Sequence, residues 1–251
     1  MRIAVVTGAS SGMGAEFCRA LDAEGLDFIW ASARRADRLE ALASSLDTPC
    51  RAIPADLSTA EGVETLLSAV RAESPEISYL VNCAGFGRFG RSWELPEGDT
   101  RSMISLNAAA LAEITAGCIP FMGEGSHIVE VCSASAYLPL AELNVYSATK
   151  AFVKSYCDGL RQELEGTGIS VLEVSPGWVE TDFIPLTRGE EGVPDKVFKH
   201  TVTKEEVVSE AMEDLRRGRR RSVCGAYNRF QVFACRHMPR LATRIWRGSL
   251  R

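Results

Sequence analysis

Ile3-Ala4-Val5-Val6-Thr7, followed by Gly8-Ala9-Ser10-Ser11-Gly12-Met13-Gly14, is the stretch on which the fold turns. Five apolar and β-branched residues read as a short buried strand. Glycines follow at Gly-x-x-x-Gly-x-Gly spacing, and a helical pattern then runs to about Glu24. A glycine turn between strand and helix lets backbone N–H groups approach a pyrophosphate, and the helix N-terminus adds partial positive charge. Glycines in a loop are often no more than a turn, and the spacing departs from the general Gly-x-Gly-x-x-Gly of dinucleotide-binding folds. The position, straight after the first strand and opening a helix, favours a phosphate-binding turn of Gly8, Ser10, Ser11, Gly12, Met13 and Gly14.

The alternation continues outward. Strands are predicted over 27–33, 51–55, 77–82, 127–133 and 169–175, with a last one over 222–226. Helices are predicted over 35–46, 99–117 and 146–165, and another, capped by Ser58, carries Val63, Leu66, Leu67 and Val70. Near-continuous apolar strands alternating with helices imply an α/β, doubly wound Rossmann-type parallel sheet covered on both faces. At 251 residues and 46 % hydrophobic content the chain can bury one core, so a single catalytic domain over 1–215 is expected, with 216–251 as an extension. No apolar run of ~18 residues is present and no membrane-spanning helix is expected. The N-terminus lacks the layout of a signal peptide. Eight scattered cysteines without a Cys-x-x-Cys pair read as buried, reduced thiols in a cytoplasmic setting. His127, His200 and His237 have no cysteine or acidic partner at ligand spacing, so no metal site is expected.

The strongest chemical signal is Tyr146-Ser147-Ala148-Thr149-Lys150. Residues at i and i+4 share one helix face. A tyrosine hydroxyl titrates near ~10 and is a poor acid–base group at neutral pH, and a nearby ammonium would lower that value. Tyr-x-x-x-Lys is also common on solvated helix faces, so the pair needs company. Ser133 closes the predicted strand 13 residues earlier, with Ser135 as the alternative hydroxyl.

Together these segments resemble the short-chain dehydrogenase/reductase family over roughly residues 1–215. Its Thr-Gly-x-x-x-Gly-x-Gly motif matches Thr7 to Gly14, and its catalytic Ser, Tyr and Lys match Ser133, Tyr146 and Lys150. Asn107 matches its helix asparagine. The resemblance implies a nicotinamide-dependent oxidoreductase acting between ketone or aldehyde and alcohol. Tyr146 would be the acid/base, tuned by Lys150, which also binds the nicotinamide ribose. Ser133 would polarise the carbonyl, and Asn107 would hold a relay water. The resemblance also implies cofactor contacts at Asp56 and Leu57, at Asn82, Ala84 and Gly85, and at Pro176, Gly177, Val179 and Thr181. Cys83 departs from the family's second asparagine and should loosen one local hydrogen bond. A homodimer or homotetramer is expected. A non-catalytic NADP-binding sensor or scaffold, acting through its tail, is the alternative; the presence of all four site residues favours the enzyme.

An acid at the end of the second strand would bind the ribose of NAD. Ala33 stands there, followed by Arg34 and Arg35, and an arginine can clamp a 2′-phosphate. Arg34 is therefore assigned to that phosphate and NADP(H) is favoured over NAD. Phe183 to Lys199, with Phe86, Phe89 and Trp93, suggests an apolar pocket for a steroid, acyl or aromatic carbonyl.

The tail is distinct. From Arg216 to Arg251 there are 11 arginines and no acid, so the preceding residues hold all 33 acids against 17 basic side chains. Pro239 should divide it into two helices, with Phe230, Ala234, Met238, Leu241 and Ile245 on one face. A packing arm is favoured. A basic amphipathic arm giving peripheral contact with an anionic membrane, and a lid or protein-partner segment, remain open. Nucleic acid is not expected as a partner, because the body is acidic and carries no reader motif.

Overall fold

The computed structural model of the protein describes residues 1–188 and 193–250. β1 (Arg2–Thr7) enters the glycine turn, and α1 (Gly12–Leu21) leaves it. There follow β2 (Phe28–Ala33), α2 (Ala36–Ala43), β3 (Cys50–Pro54), α3 (Ala60–Glu73) and β4 (Glu76–Asn82). α4 (Asp99–Ile104), a π-helical turn (Ser105–Ala110) and α5 (Leu111–Cys118) make one continuous helix before β5 (His127–Val131). α6 (Asn144–Glu163), β6 (Ser170–Val174), β7 (Trp178–Val179), α7 (Phe183–Arg188), β8 (Thr201–Val202) and α8 (Lys204–Arg216) come next. β9 (Arg221–Ser222), α9 (Ala226–His237) and α10 (Pro239–Ser249) complete the described chain.

Seven strands pair in parallel in the order β3-β2-β1-β4-β5-β6-β9. Each strand alternates its side chains between two cores. Ala4 and Val6 face α1 and α8 with Phe17, Leu21 and Val207, while Ile3 and Val5 face α3, α5 and α6 with Leu66, Ile114 and Val153. The strand order reverses between β1 and β4, where Thr7 lies opposite Asn82. A crevice at such a switch point is where this architecture takes its ligand.

Three expectations need correction, and one helix meets a membrane-spanning test by length and composition alone. The last strand is only Arg221–Ser222; Gly225, at φ 87°, turns the chain and Ala226 already opens a helix. Thr59, not Ser58, caps α3 by accepting from Gly62 N at 3.1 Å, because the Ser58 hydroxyl is held by the Asp56 carboxylate at 2.7 Å. The stretch Asp99–Phe121 is, by length and composition, apolar enough to cross a membrane. It packs against α3, β4 and α6, and its buried Asn107 and Thr115 bond inward. In the tail, Pro239 does separate two helices, but they pack by the face opposite the predicted one. Asn228, Val232 and Cys235 are buried and Trp246 is half-buried, whereas Phe230, Met238, Leu241 and Ile245 are exposed.

All eight cysteines are free, and six are buried. His127 bonds the Ser170 hydroxyl, His200 stacks on Tyr227 and His237 lies beside Phe233.

Candidate active site

The glycine turn closes on the ends of β1 and β4. Gly8 has φ +69°, and a Cβ there would come within 2.8 Å of Ala84 N. A Cβ on Gly14 would lie 2.3 Å from the Gly8 carbonyl oxygen, so the first turn of α1 can fold onto the loop only as glycine. The Thr7 hydroxyl accepts from Cys83 N at 3.1 Å and Ala84 N at 3.2 Å. This tie, which the sequence reading missed, holds the segment where Cys83 replaces the family's asparagine. Across the cleft, the Thr181 methyl stands 3.4 Å from where a Gly12 Cβ would be. A groove of about 860 Å³ beside this turn is lined by Ser10, Ser11, Gly12, Arg38, Thr181 and Asp182, among others.

The two arginines after β2 divide their work differently from the expectation. Arg35, not Arg34, lies over the turn: its Nη2 donates to Ser11 Oγ at 2.8 Å and Ser10 Oγ at 3.1 Å. Arg34 acts on Asp56 by charge only: partial burial works upward on that carboxyl, and hydrogen bonds from Ser58 with the Arg34 charge outweigh it and hold it below its ordinary value.

Several expected cofactor residues are engaged within the protein itself. Leu57 and Val179 are buried in the two cores. Asn82 turns inward, donating to Thr115 Oγ1 at 2.8 Å and Glu130 Oε1 at 3.1 Å. Met13 packs on the core, and the Pro176 carbonyl accepts from Ala134 N at 2.8 Å. Gly177 abuts the tail: a Cβ there would lie 2.3 Å from Asn228 Oδ1.

Tyr146 and Lys150 are both buried on α6. Lys150 Nζ donates to the Val131 carbonyl at 2.8 Å and lies 5.8 Å from the Tyr146 ring centroid. Burial lowers the pKa of Lys150 and pushes that of Tyr146 well up, with the Ser133 hydroxyl beside Tyr146 pulling it back. The expected tuning of Tyr146 by Lys150 is opposed at this depth by desolvation, the largest influence on the tyrosine. Ser133, rather than Ser135, stands at the tyrosine, and its Oγ also accepts from Ser135 N at 3.1 Å. Asn107 lies in the π-helical turn, which swings it inward. It accepts from Phe86 N at 3.0 Å and donates to Phe86 O at 2.8 Å and Thr149 Oγ1 at 3.1 Å. A Cβ on Gly85 would meet both Asn107 Oδ1, at 3.0 Å, and Lys150 Nζ, at 3.5 Å, so the four residues converge.

Glu130, behind Lys150, was not singled out from the sequence. It is fully buried, and burial pushes it up to about 8 although Asn82, Thr115 and the Lys150 charge pull it back. Between the ordinary glutamate value of about 4.3 and that value, the folded chain keeps a proton the unfolded chain releases, so stability falls as pH rises through the window. Replacing Glu130 by Gln should flatten this slope, which is at most about 1.4 kcal/mol per pH unit. Urea midpoints at pH 6 and pH 8 check it; an unchanged slope in the variant would refute the assignment.

An aromatic wall surrounds Tyr146. Phe183 lies 5.5 Å from it, and Phe89 stacks with Trp178 at 6.0 Å and Trp246 at 6.3 Å. Phe86 packs against the same cluster. Trp93, expected in the wall, is 79 % exposed and lies outside it. Of the predicted pocket segment, residues 189–192 lie outside the described residues.

The family model for short chain dehydrogenases matches residues 2–191. Serine 3-dehydrogenase of Agrobacterium fabrum is 33 % identical over 198 residues, 78 % of this chain and 79 % of that one. The NADP-dependent 3-hydroxy acid dehydrogenase of Escherichia coli is 33 % identical over 216 residues, 84 % and 87 % of the two chains. Among solved structures, a short-chain dehydrogenase from Sphingobium yanoikuyae in complex with NADPH superposes with a TM-score of 0.77 at 25 % identity, covering 93 % of this chain and 92 % of that one. With the glycine turn, the switch-point crevice and the buried tyrosine–lysine pair in one molecule, this chain belongs to the short chain dehydrogenase family.

Proposed function

We propose that the protein reduces apolar ketones or aldehydes to alcohols with NADPH, and runs the reverse oxidation. The observation that carries this reading is the buried Tyr146, with Ser133 and Lys150 beside it, facing an aromatic wall. The cleft suits the cofactor: glycines at Gly8 and Gly14 let the turn close tightly at the N-terminus of α1, and Arg35 with Ser10 and Ser11 forms a cationic, hydroxyl-rich patch beside it. The bound cofactor supplies the hydride to the carbonyl carbon.

Protein groups handle the proton. Tyr146, kept protonated by burial, gives its O–H proton to the carbonyl oxygen. Ser133 holds that oxygen with its hydroxyl. Lys150, anchored on Val131, stabilises the tyrosinate left behind and would hold the nicotinamide ribose of the bound cofactor. Asn107 fixes the Phe86 backbone and Thr149, and so positions α6 against the cleft.

The wall of Phe86, Phe89, Trp178 and Phe183 supports an apolar or aromatic carbonyl in place of the serine and hydroxy acid named for the relatives. Exposed Ile104 and Phe152 support a subunit contact in a homodimer or homotetramer, and eight free cysteines support a cytoplasmic location.

A panel of aryl, acyl-chain and steroid ketones, read at the nicotinamide absorbance with NADPH and NADH, tests the reading. Turnover with NADPH is expected, and none with any ketone would overturn it. Arg35→Ala should weaken NADPH about 10- to 100-fold, the worth of a charge-assisted contact to a 2′-phosphate, and leave NADH nearly unchanged. Arg34→Ala should do less, and the reverse order would return the assignment to Arg34.

A further inference from the structure

α9 and α10 use one face for the body and leave the other in solvent. Inward, Cys235 on α9 and Trp246 on α10 join the aromatic cluster around Tyr146, and Trp246 Nε1 donates to the Ala141 carbonyl at 3.0 Å. Outward, α9 exposes Phe230 (62 %) and Phe233 (55 %), and α10 exposes Leu241 (50 %) and Ile245 (64 %). Beside that apolar stripe on α10 run Arg240, Arg244 and Arg247, which with Thr243 and Gly248 line an open surface groove of about 520 Å³. None of the three arginines has an ion pair among the described residues.

A helix whose outer surface is half cationic and half apolar, with no acid from Arg216 onward, matches one kind of surface. Anionic headgroups neutralise the arginines while the neighbouring acyl boundary takes the leucine, isoleucine and phenylalanine side chains. We propose that the outer face of α9 and α10 docks on an anionic phospholipid bilayer, with headgroup phosphates seated among Arg240, Arg244 and Arg247. A protein partner would more often fix each arginine with a paired acid, whereas a fluid headgroup layer needs only the stripe. Because the inner face of the same arm is part of the aromatic wall, docking would bring the candidate pocket to the bilayer surface. That consequence rests on the proposed carbonyl reduction, but the docking itself does not.

The test is co-sedimentation of the full-length protein with vesicles of phosphatidylcholine alone and of phosphatidylcholine with phosphatidylglycerol, at low and raised salt. Binding to the anionic vesicles only, weakened by salt, is expected. Changing Arg240, Arg244 and Arg247 together to Gln should lower partitioning about a hundredfold. Leu241→Asp with Ile245→Asp should lower it too. Because these side chains are exposed, melting curves and soluble-ketone turnover should stay as in the parent. Equal binding to both vesicle types, or none, overturns the proposal. So does saturable binding of glycerol phosphate that accounts for the arginine effect without vesicles, or a dimer in sedimentation equilibrium that the Leu241→Asp, Ile245→Asp pair dissolves. A parent protein that turns over ketones but binds no vesicles would sink the docking alone, and a parent that binds anionic vesicles but turns over no ketone would sink the reductase reading alone.

Discussion

Tyr146→Phe should lower ketone reduction by about 10²- to 10⁴-fold while NADPH binding stays within a few-fold of the parent, since general acid–base catalysis supplies an effect of that size. The substitution removes one hydroxyl and little else: the ring keeps its place 5.5 Å from Phe183 and 5.8 Å from the Lys150 ammonium. Burial raises the tyrosine above its ordinary value, so at neutral pH it holds the proton that reduction consumes. Alcohol oxidation needs the deprotonated form. Its rate should therefore climb as pH rises above neutral in the parent, while reduction stays level over the same span. Steady-state rates in both directions across pH, beside a fluorescence titration of NADPH, measure these effects. A near-normal kcat in the variant would remove Tyr146 from the chemistry and leave the fold as a cofactor binder.

The fold was legible because its signal is local. β1, the glycine turn and α1 are contiguous in sequence, and apolar strands alternating with amphipathic helices admit few architectures. Tyr146, Lys150, Ser133 and Asn107 were legible through motif spacing, and the structure brings all four to the ends of β4 and β5. What escaped depends on direction, which spacing does not carry. Arg34 and Arg35 are equivalent as letters, and only the turn geometry sends Arg35 to Ser10 and Ser11. Asn82 matched a cofactor motif, but its amide satisfies the buried Glu130 carboxylate, and the need for that partner arises 48 residues away. The π-helical turn that aims Asn107 inward has no mark in Ser105-Leu106-Asn107 beyond small neighbours. In the tail, the helical period was read correctly while its inner and outer faces were exchanged. The sequence places the large apolar side chains inward, whereas the body is met by Asn228, Val232 and Cys235 with Trp246. Hydrophobicity ranks faces by transfer energy alone and does not say which face meets the body.

Arg221→Ala is expected to destabilise the protein by about 3 kcal/mol, the lower end of what removing one partner of a buried ion pair costs. Glu173 sits on β6 with no exposure, directly across the strand pair from Glu130, so two buried carboxyl groups share one face of the sheet. Their environments differ. Glu130 has only neutral donors in hydrogen-bond contact, Asn82 and Thr115, and is pushed up to about 8. Glu173 receives hydrogen bonds from Tyr137 and from Ser175, at 2.6 Å, on one oxygen. Its other oxygen takes both Nε and Nη2 of Arg221, at 3.1 and 2.9 Å. The same guanidinium lies 5.2 Å from the Tyr137 ring centroid. Arg221 is thus the first residue of the short edge strand and the charge that makes a buried Glu173 tolerable, which fastens the start of the tail to the sheet. Alanine there leaves a desolvated carboxylate without its cation. If that is the cause, Glu173→Gln should recover much of the loss in the Arg221→Ala background, because a neutral amide oxygen can still accept from Tyr137 and Ser175. The recovery should be absent in the parent background, where Gln instead strands the arginine. Urea unfolding of the four proteins closes the cycle. A loss under about 0.5 kcal/mol for Arg221→Ala, the range of an ordinary surface substitution, would mean that water at the sheet edge screens the pair and that the tail is held by its apolar contacts alone.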